Sequence, residues 1–126
     1  MITRHFATVN GDRQVHYRRA GSGPPVVLLH QSPYSSNEHL GLIEDLAAAY
    51  TVIAPDTPGN GLSEPLSIPA EAVTMSDYAD GLADFLTEIG LERTALYGFH
   101  TGSVCALEFS RRHPERVIVA ICNGYV

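Results

Sequence analysis

The sequence contains no lysine. Its eight basic residues are all arginine and stand against 14 acidic ones, for a formal net charge of -6. Such a balance leaves no basic stripe to neutralise a phosphate backbone, so nucleic acid is not an expected partner. Cysteine is scarce. Cys105 and Cys122 fall in separate apolar segments rather than in a short-spaced pair, so both are read as buried, reduced thiols and not as a disulfide or metal site. Long apolar runs are missing as well: Met1 to Phe6 carries Arg4 and His5 and leads into no hydrophobic stretch, so neither a signal peptide nor a membrane span is expected. A cytoplasmic setting is the expectation that follows. The 126 residues, 44% hydrophobic and 17% charged, have the composition of an ordinary globular chain with room for one core. No repeat, low-complexity tract or linker divides them.

The order of elements can be read from periodicity and punctuation. His5 to Asn10 and Gln14 to Ala20 are expected as two strands joined by a tight hairpin at Asn10-Gly11-Asp12, because Asn-Gly tolerates the positive φ such a turn needs. Gly21 to Pro25 cannot be regular, and Val26 to His30 is a continuous apolar run of the kind found in a strand covered on both faces. A helix is expected from Ser35, with Glu38 completing a capping box and Leu40, Ile43, Leu46, Ala47 and Tyr50 facing the core. A strand at Thr51 to Pro55 and a Gly- and Pro-rich loop at Asp56 to Pro65 come next. The second helix starts near Thr74, with Asp77 in another capping box, presents Tyr78, Leu82, Phe85, Leu86 and Ile89, and stops at Gly90. Thr94 to Phe99 then reads as strand, Thr101 to Arg112 as helix and Val117 to Cys122 as strand, with Pro114 breaking the chain before it.

A hairpin followed by alternating strands and helices predicts an α/β architecture, an antiparallel hairpin leading into parallel strands with helices on both faces. In such a sheet, ligands bind outside the carboxyl ends of the strands, so the loops after His30, Pro55 and Phe99 are expected to share one site. The most distinctive of these is Gly98-Phe99-His100-Thr101-Gly102. Its two glycines permit a sharp, strained strand-to-helix turn that exposes the central side chain, His100, and the helix that follows aims unpaired N–H groups, beginning with Thr101, at any anion formed beside it.

These segments resemble the α/β-hydrolase superfamily, in particular its epoxide hydrolase, haloalkane dehalogenase and small-ester hydrolase branches. The resemblance covers nearly the whole chain. Leu29-His30-Gln31-Ser32-Pro33-Tyr34-Ser35-Ser36 is similar to the family's His-Gly-x-Pro oxyanion loop, with Gln31 in place of the usual glycine and Ser32 at the donor position. Asp56-Thr57-Pro58-Gly59-Asn60-Gly61-Leu62-Ser63 is similar to its Asp-x-x-Gly-x-Gly-x-Ser loop, and His113-Pro114-Glu115-Arg116-Val117 to its approach to the sixth strand. The resemblance implies that residues 1–126 are the N-terminal portion of an α/β-hydrolase domain, about its first six strands and three helices. It also implies an oxyanion hole built from the backbone N–H groups of Ser32 and Thr101, whose side chains need not matter, and a small-molecule substrate.

The departure is at the nucleophile. The family places Ser, Asp or Cys between the turn glycines, and this sequence places His100. Similarity also implies that the base histidine, and generally the acid, lie beyond the sixth strand; the stretch after it here, Asn123-Gly124-Tyr125, offers no carboxylate.

Imidazole can act as nucleophile or base near neutral pH, but it is bulkier than a serine side chain and would sit displaced from the oxyanion donors. A catalytic role for His100 and a relic or ligand-contacting role therefore both stand. Ser103 and Cys105 lie in the following helix, where packing accounts for them. His30 next to His100 makes a shared metal conceivable, yet two ligands do not make a site, so no metal and no cofactor is expected and His30 is read as holding its loop by hydrogen bonds. Gln31 and Asp56 are read as loop-supporting, with Ser63 beside Asp56. His5, His16, His39 and His113 carry no motif and are read as surface or packing residues. Two functions follow: a hydrolase of small, largely apolar ester, epoxide or halide substrates completed by residues outside this sequence, or a non-catalytic module that keeps the pocket. The exposed edge of the last strand implies either a complementary C-terminal half or self-association as a partner.

Overall fold

The computed structural model describes residues 1–124; Tyr125 and Val126, which the sequence reading places after the last strand, lie outside the described residues. Six strands form one mixed sheet. They are β1 (Thr3–Val9), β2 (Arg13–Ala20), β3 (Pro25–Leu29), β4 (Thr51–Pro55), β5 (Thr94–Phe99) and β6 (Val117–Asn123), and they lie side by side in the order β1-β2-β4-β3-β5-β6. The β1–β2 and β2–β4 pairs are antiparallel, and β4–β3, β3–β5 and β5–β6 are parallel. The β1–β2 turn has Asn10 at φ 53° and Gly11 at φ 82°, the two successive positive values that Asn-Gly accepts and that keep the hairpin's twist in step with its strands.

Three helices cover the sheet. On one face α2 (Met75–Glu88) and α3 (Thr101–Arg112) enclose the larger core, in which Val27, Leu29, Leu82, Phe85, Leu86, Leu96 and Phe109 are buried. On the other, α1 (Leu40–Leu46) closes a smaller cluster of Leu28, Ile43, Val52 and Ala54. The alternation of β3 explains the division: Val27 and Leu29 point to one helix layer and Leu28 to the other, so a strand with no polar position is buried on both sides. The start of α2 is the capping box read from the sequence. The Asp77 N–H donates to Thr74 Oγ1 at 3.3 Å, and the Thr74 N–H donates to the Asp77 carboxylate at 2.8 Å. Gly90, at φ 79°, ends the helix.

Three sequence expectations are corrected. The chain after Ser35 forms a 3-10 turn over Ser36–His39 before α1 begins, and no capping box closes it. Ser35 caps through the Asn37 N–H, while the Glu38 carboxylate turns back to accept from the Gln31 N–H at 3.2 Å. The resulting helix is two turns long and buries only Ile43, leaving Leu40 and Tyr50 exposed. The first strand begins at Thr3, two residues earlier than its alternation indicated. Cys122 is exposed, not buried; Cys105 is buried, and both thiols are free. The cause lies in the sheet order. Among the described residues β6 is a terminal strand with β5 as its one neighbour, so Ile118, Val119 and Ile121 as well as Cys122 reach solvent.

Candidate active site

Three strands end side by side, and the residue following each is His30, Asp56 or His100. Each does something different.

His30 is buried and fully engaged. Its Nδ1 lies 2.8 Å from the Gln31 carbonyl oxygen and its Nε2 accepts from the Thr57 N–H at 2.9 Å, so the ring is the Nδ1–H tautomer and ties the loop after β3 to the loop after β4. With both nitrogens occupied it has no lone pair to share with a metal beside His100. Gln31 contributes its backbone, the N–H to Glu38 and the carbonyl to His30.

Asp56 is a buried hub. Its carboxylate accepts from the Ser36 N–H (2.9 Å) and hydroxyl (2.6 Å), from the Leu62 N–H (3.0 Å) and from His16 Nδ1 (2.8 Å). Burial alone would push its pKa up, but the hydrogen bonds from Leu62, Ser36 and His16 outweigh burial and hold it below the ordinary carboxylate range. Ser63 donates its hydroxyl to the Asp56 carbonyl at 2.7 Å and receives the His16 N–H at 2.9 Å. Sequence reasoning missed His16 here. Its Nε2 accepts from Arg4 Nε at 3.0 Å, so Nδ1 carries the proton that faces Asp56 and the ring is neutral. The partner is 40 residues away, and no local pattern announces it.

His100 stands in the bend between β5 and α3 at φ 56°, ψ -117°, a region closed to side-chain-bearing residues without strain. The flanking glycines hold it there. A Cβ on Gly98 would run into the Gly102 carbonyl and the Ser103 Cα, and one on Gly102 into the Leu29 carbonyl. The bend is further pinned by the His100 N–H on the Asn123 carbonyl (2.8 Å), and by the His100 carbonyl, which accepts from the Ser103 N–H (2.9 Å) and hydroxyl (2.5 Å). That hydroxyl is thereby committed to packing. The Cys105 thiol is excluded from nucleophilic work by burial, which pushes its pKa up to about 12. The imidazole itself is half-buried, and its Nδ1 is shielded from solvent with no hydrogen-bond partner among the described residues.

Beside the bend lies a small cleft of about 40 Å³ lined by Ser32, Thr57, Met75, Tyr78, Thr101 and Cys105 among others; the His100 ring is not part of that lining. Ser32 and Thr101 are brought together, but through a contact that the sequence did not indicate. The Ser32 N–H donates to the Thr101 side-chain oxygen at 2.6 Å, so the Thr101 side chain does matter. The Thr101 N–H is the first of α3 and has no partner among the described residues.

The family's sequence profile, described as the alpha/beta hydrolase fold, matches residues 24–124. The chain belongs to the α/β-hydrolase fold family. Within it, the chain is 36% identical over 125 residues to an uncharacterized protein of Mycobacterium tuberculosis, covering 97% of this chain and 36% of that one. It is 38% identical over 109 residues to a soluble epoxide hydrolase of Corynebacterium sp. strain C12, covering 86% of this chain and 37% of the relative. Among solved structures, the epoxide hydrolase CorEH superposes with a TM-score of 0.91 at 32% identity, over all of this chain and 43% of that one. This α/β-hydrolase chain thus spans about two-fifths of the length of the relatives it matches. Among the described residues no helix is long and apolar enough to cross a membrane.

Proposed function

We propose that residues 1–126 are an incomplete α/β-hydrolase domain that supplies the elbow and the oxyanion site of a hydrolase for small, largely apolar ester, epoxide or halide substrates. One observation carries the reading: a non-glycine residue is held at positive φ between two glycines that admit no Cβ. Strain of this kind costs about 1–3 kcal/mol and persists where the surrounding structure over-determines it for a purpose. On this reading His100 is the presented side chain, acting as nucleophile or base. The N–H of Thr101 and the Ser32–Thr101 pair face the developing oxyanion, and His30, Gln31 and Asp56 brace the loops. The acid and base of the usual scheme come from residues outside this sequence, either in a complementary C-terminal half or through association at the free edge of β6. Exposed Ile118, Val119 and Ile121 support a partner there.

The test is a turnover screen with ester, epoxide and haloalkane substrates, comparing the chain and its His100→Ala variant, alone and with a C-terminal half supplied in trans. Turnover that disappears in the variant supports the proposal; equal turnover in both removes His100 from the chemistry. A second reading, a binding module without turnover, is favoured by the His100 ring standing outside the cleft lining. Saturable ligand binding with no turnover under either condition would select it.

A further inference from the structure

We infer that a groove between the β1–β2 hairpin and α2 is a second ligand site, and that it takes a small zwitterion of the amino-acid class, its carboxylate on Arg13 and its ammonium on Asp12 and Asp84. The groove has a volume of about 370 Å³, and none of its lining residues lines the cleft beside His100. It therefore stands apart from the hydrolase reading.

Arginine is almost never fully buried without a partner. The pleat of β2 sets Arg13 on the core face beside Val15, and the residue is 7% exposed. Its Nη2 is shielded from solvent and has no hydrogen-bond partner among the described residues. Burial holds the guanidinium below its usual pKa against the pull of Asp84, Asp12 and Glu64. Two of those carboxylates are turned to other donors: Asp84 accepts from Asn10 Nδ2 at 3.1 Å, and Glu64 from the Gln14 N–H at 3.0 Å. The guanidinium end is what reaches the groove. Nη2 lies 3.7 Å from where a Cβ on Gly81 would stand, and Gly81 is part of the groove lining. Leu66 Cδ2 stands over the same glycine, 3.2 Å from that point, so this flexible side chain swings aside as a ligand oxygen comes to Nη2. The walls decide which acceptor fits. Asp77 and Asp80 are committed, to the capping box and to Arg112 with His113. Asp84 and Asp12 keep oxygens free for a donor among the described residues. A simple anion meets repulsion from these walls and a simple cation meets it from Arg13, whereas a short chain bearing both charges satisfies both. A carboxylate also matches the guanidinium fork.

The probe is β-alanine, titrated into the isotopically labelled full chain at neutral pH, with propionate and propylamine as controls that carry one charge each. The amides of Arg13 and Gly81 and the methyls of Leu66 are followed by NMR. β-Alanine shifts all three saturably, and each control binds at least about fivefold more weakly. Arg13→Met, which keeps the apolar stem and deletes the guanidinium, weakens β-alanine about tenfold. Its urea midpoint does not fall, because the charge removed had no partner to lose. Asp84→Asn, at an exposed position where folding is not at stake, weakens β-alanine about threefold and leaves propionate binding no weaker. The inference is overturned by an absence of saturable β-alanine shifts, by propionate or propylamine binding as tightly as β-alanine, or by unchanged β-alanine affinity in both variants. A lowered urea midpoint in Arg13→Met overturns it as well, since the guanidinium would then be a structural group.

Discussion

Replacing His100 by glycine should stabilise the protein relative to replacing it by alanine, the reverse of the usual order. At an unstrained position glycine is about 0.5–1 kcal/mol worse than alanine, because its unfolded chain has more freedom to lose. Residue 100, however, is held at φ 56°, ψ -117°, where a Cβ costs about 1–3 kcal/mol. The bend cannot relax to escape that cost. The residue's N–H is bonded to Asn123, its carbonyl takes two hydrogen bonds from Ser103, and α3 packs through Gly102 directly on the Leu29 carbonyl of β3. Subtracting the glycine penalty leaves about 1 kcal/mol in favour of His100→Gly over His100→Ala. Both variants also lose the buried, unpartnered Nδ1, so neither should be much less stable than the natural chain. Urea unfolding of the three proteins, with unchanged m-values as the check on two-state comparison, reads the difference directly. Thermal midpoints should separate by roughly 3–5 °C. A glycine variant no more stable than the alanine one would show that residue 100 is not strained, and the argument that this bend stores energy for a function would fail.

Gly98→Ala should cost about 3 kcal/mol, because its Cβ meets backbone atoms of Gly102 and Ser103 that cannot swing aside; Gly41→Ala, in open space on α1, should gain up to about 1 kcal/mol, and the two urea midpoints should move in opposite directions. Asp56→Asn should lower stability at neutral pH by about 2 kcal/mol. Since the folded pKa of Asp56 is depressed, its contribution is complete above the unfolded value near ~3.9 and is lost as pH falls from there through the lower folded value. The gap between natural chain and variant in acid titration should close over that window; a gap that persists at the acid end would contradict the hydrogen-bonded carboxylate. With an aromatic disulfide reagent at mildly alkaline pH, the folded chain should release one equivalent of thiolate from exposed Cys122 and none from Cys105, and Cys122→Ser should abolish the reaction.

What could be read in the sequence was what is local. β4, β5 and α3 fall on the residues that their apolar runs and flanking glycines indicated, and the Thr74–Asp77 box marks the start of α2 as written. The errors share a different origin. Glu38 looked like a helix cap three residues from Ser35, but its carboxylate has a competing donor in the Gln31 N–H at the end of β3, which no reading along the chain can supply. Val117 to Cys122 has the composition of a strand covered on both faces, while its exposure is decided by which strands stand next to it. Within the site, the sharp glycine-flanked bend at residue 100 was legible, and the partners of the side chains around it were not. The Thr101 hydroxyl meets the Ser32 amide, and His16 meets Asp56, only once the sheet order has brought distant loops to one rim.

The same sheet order ties the site to the free edge. His100 donates its N–H to the carbonyl of Asn123, the last residue of β6, while Asn123 Nδ2 reaches Tyr97 Oη at 3.0 Å and Cys122 Sγ lies 3.7 Å from the Ser103 carbonyl. The bend at His100 is thus anchored on a strand that, among the described residues, has pairing on one side only. Terminal strands with few buried contacts open at lower free energy than the strands inside a sheet, and each opening of β6 removes a hydrogen bond that holds residue 100 at positive φ. A strand pairing with β6 would therefore do two things at once: cover Ile118, Val119 and Ile121, and deepen the well that holds residue 100 at positive φ. Pairing at the free edge and pre-organisation of the bend at residue 100 would then be one physical event, because both act through Asn123.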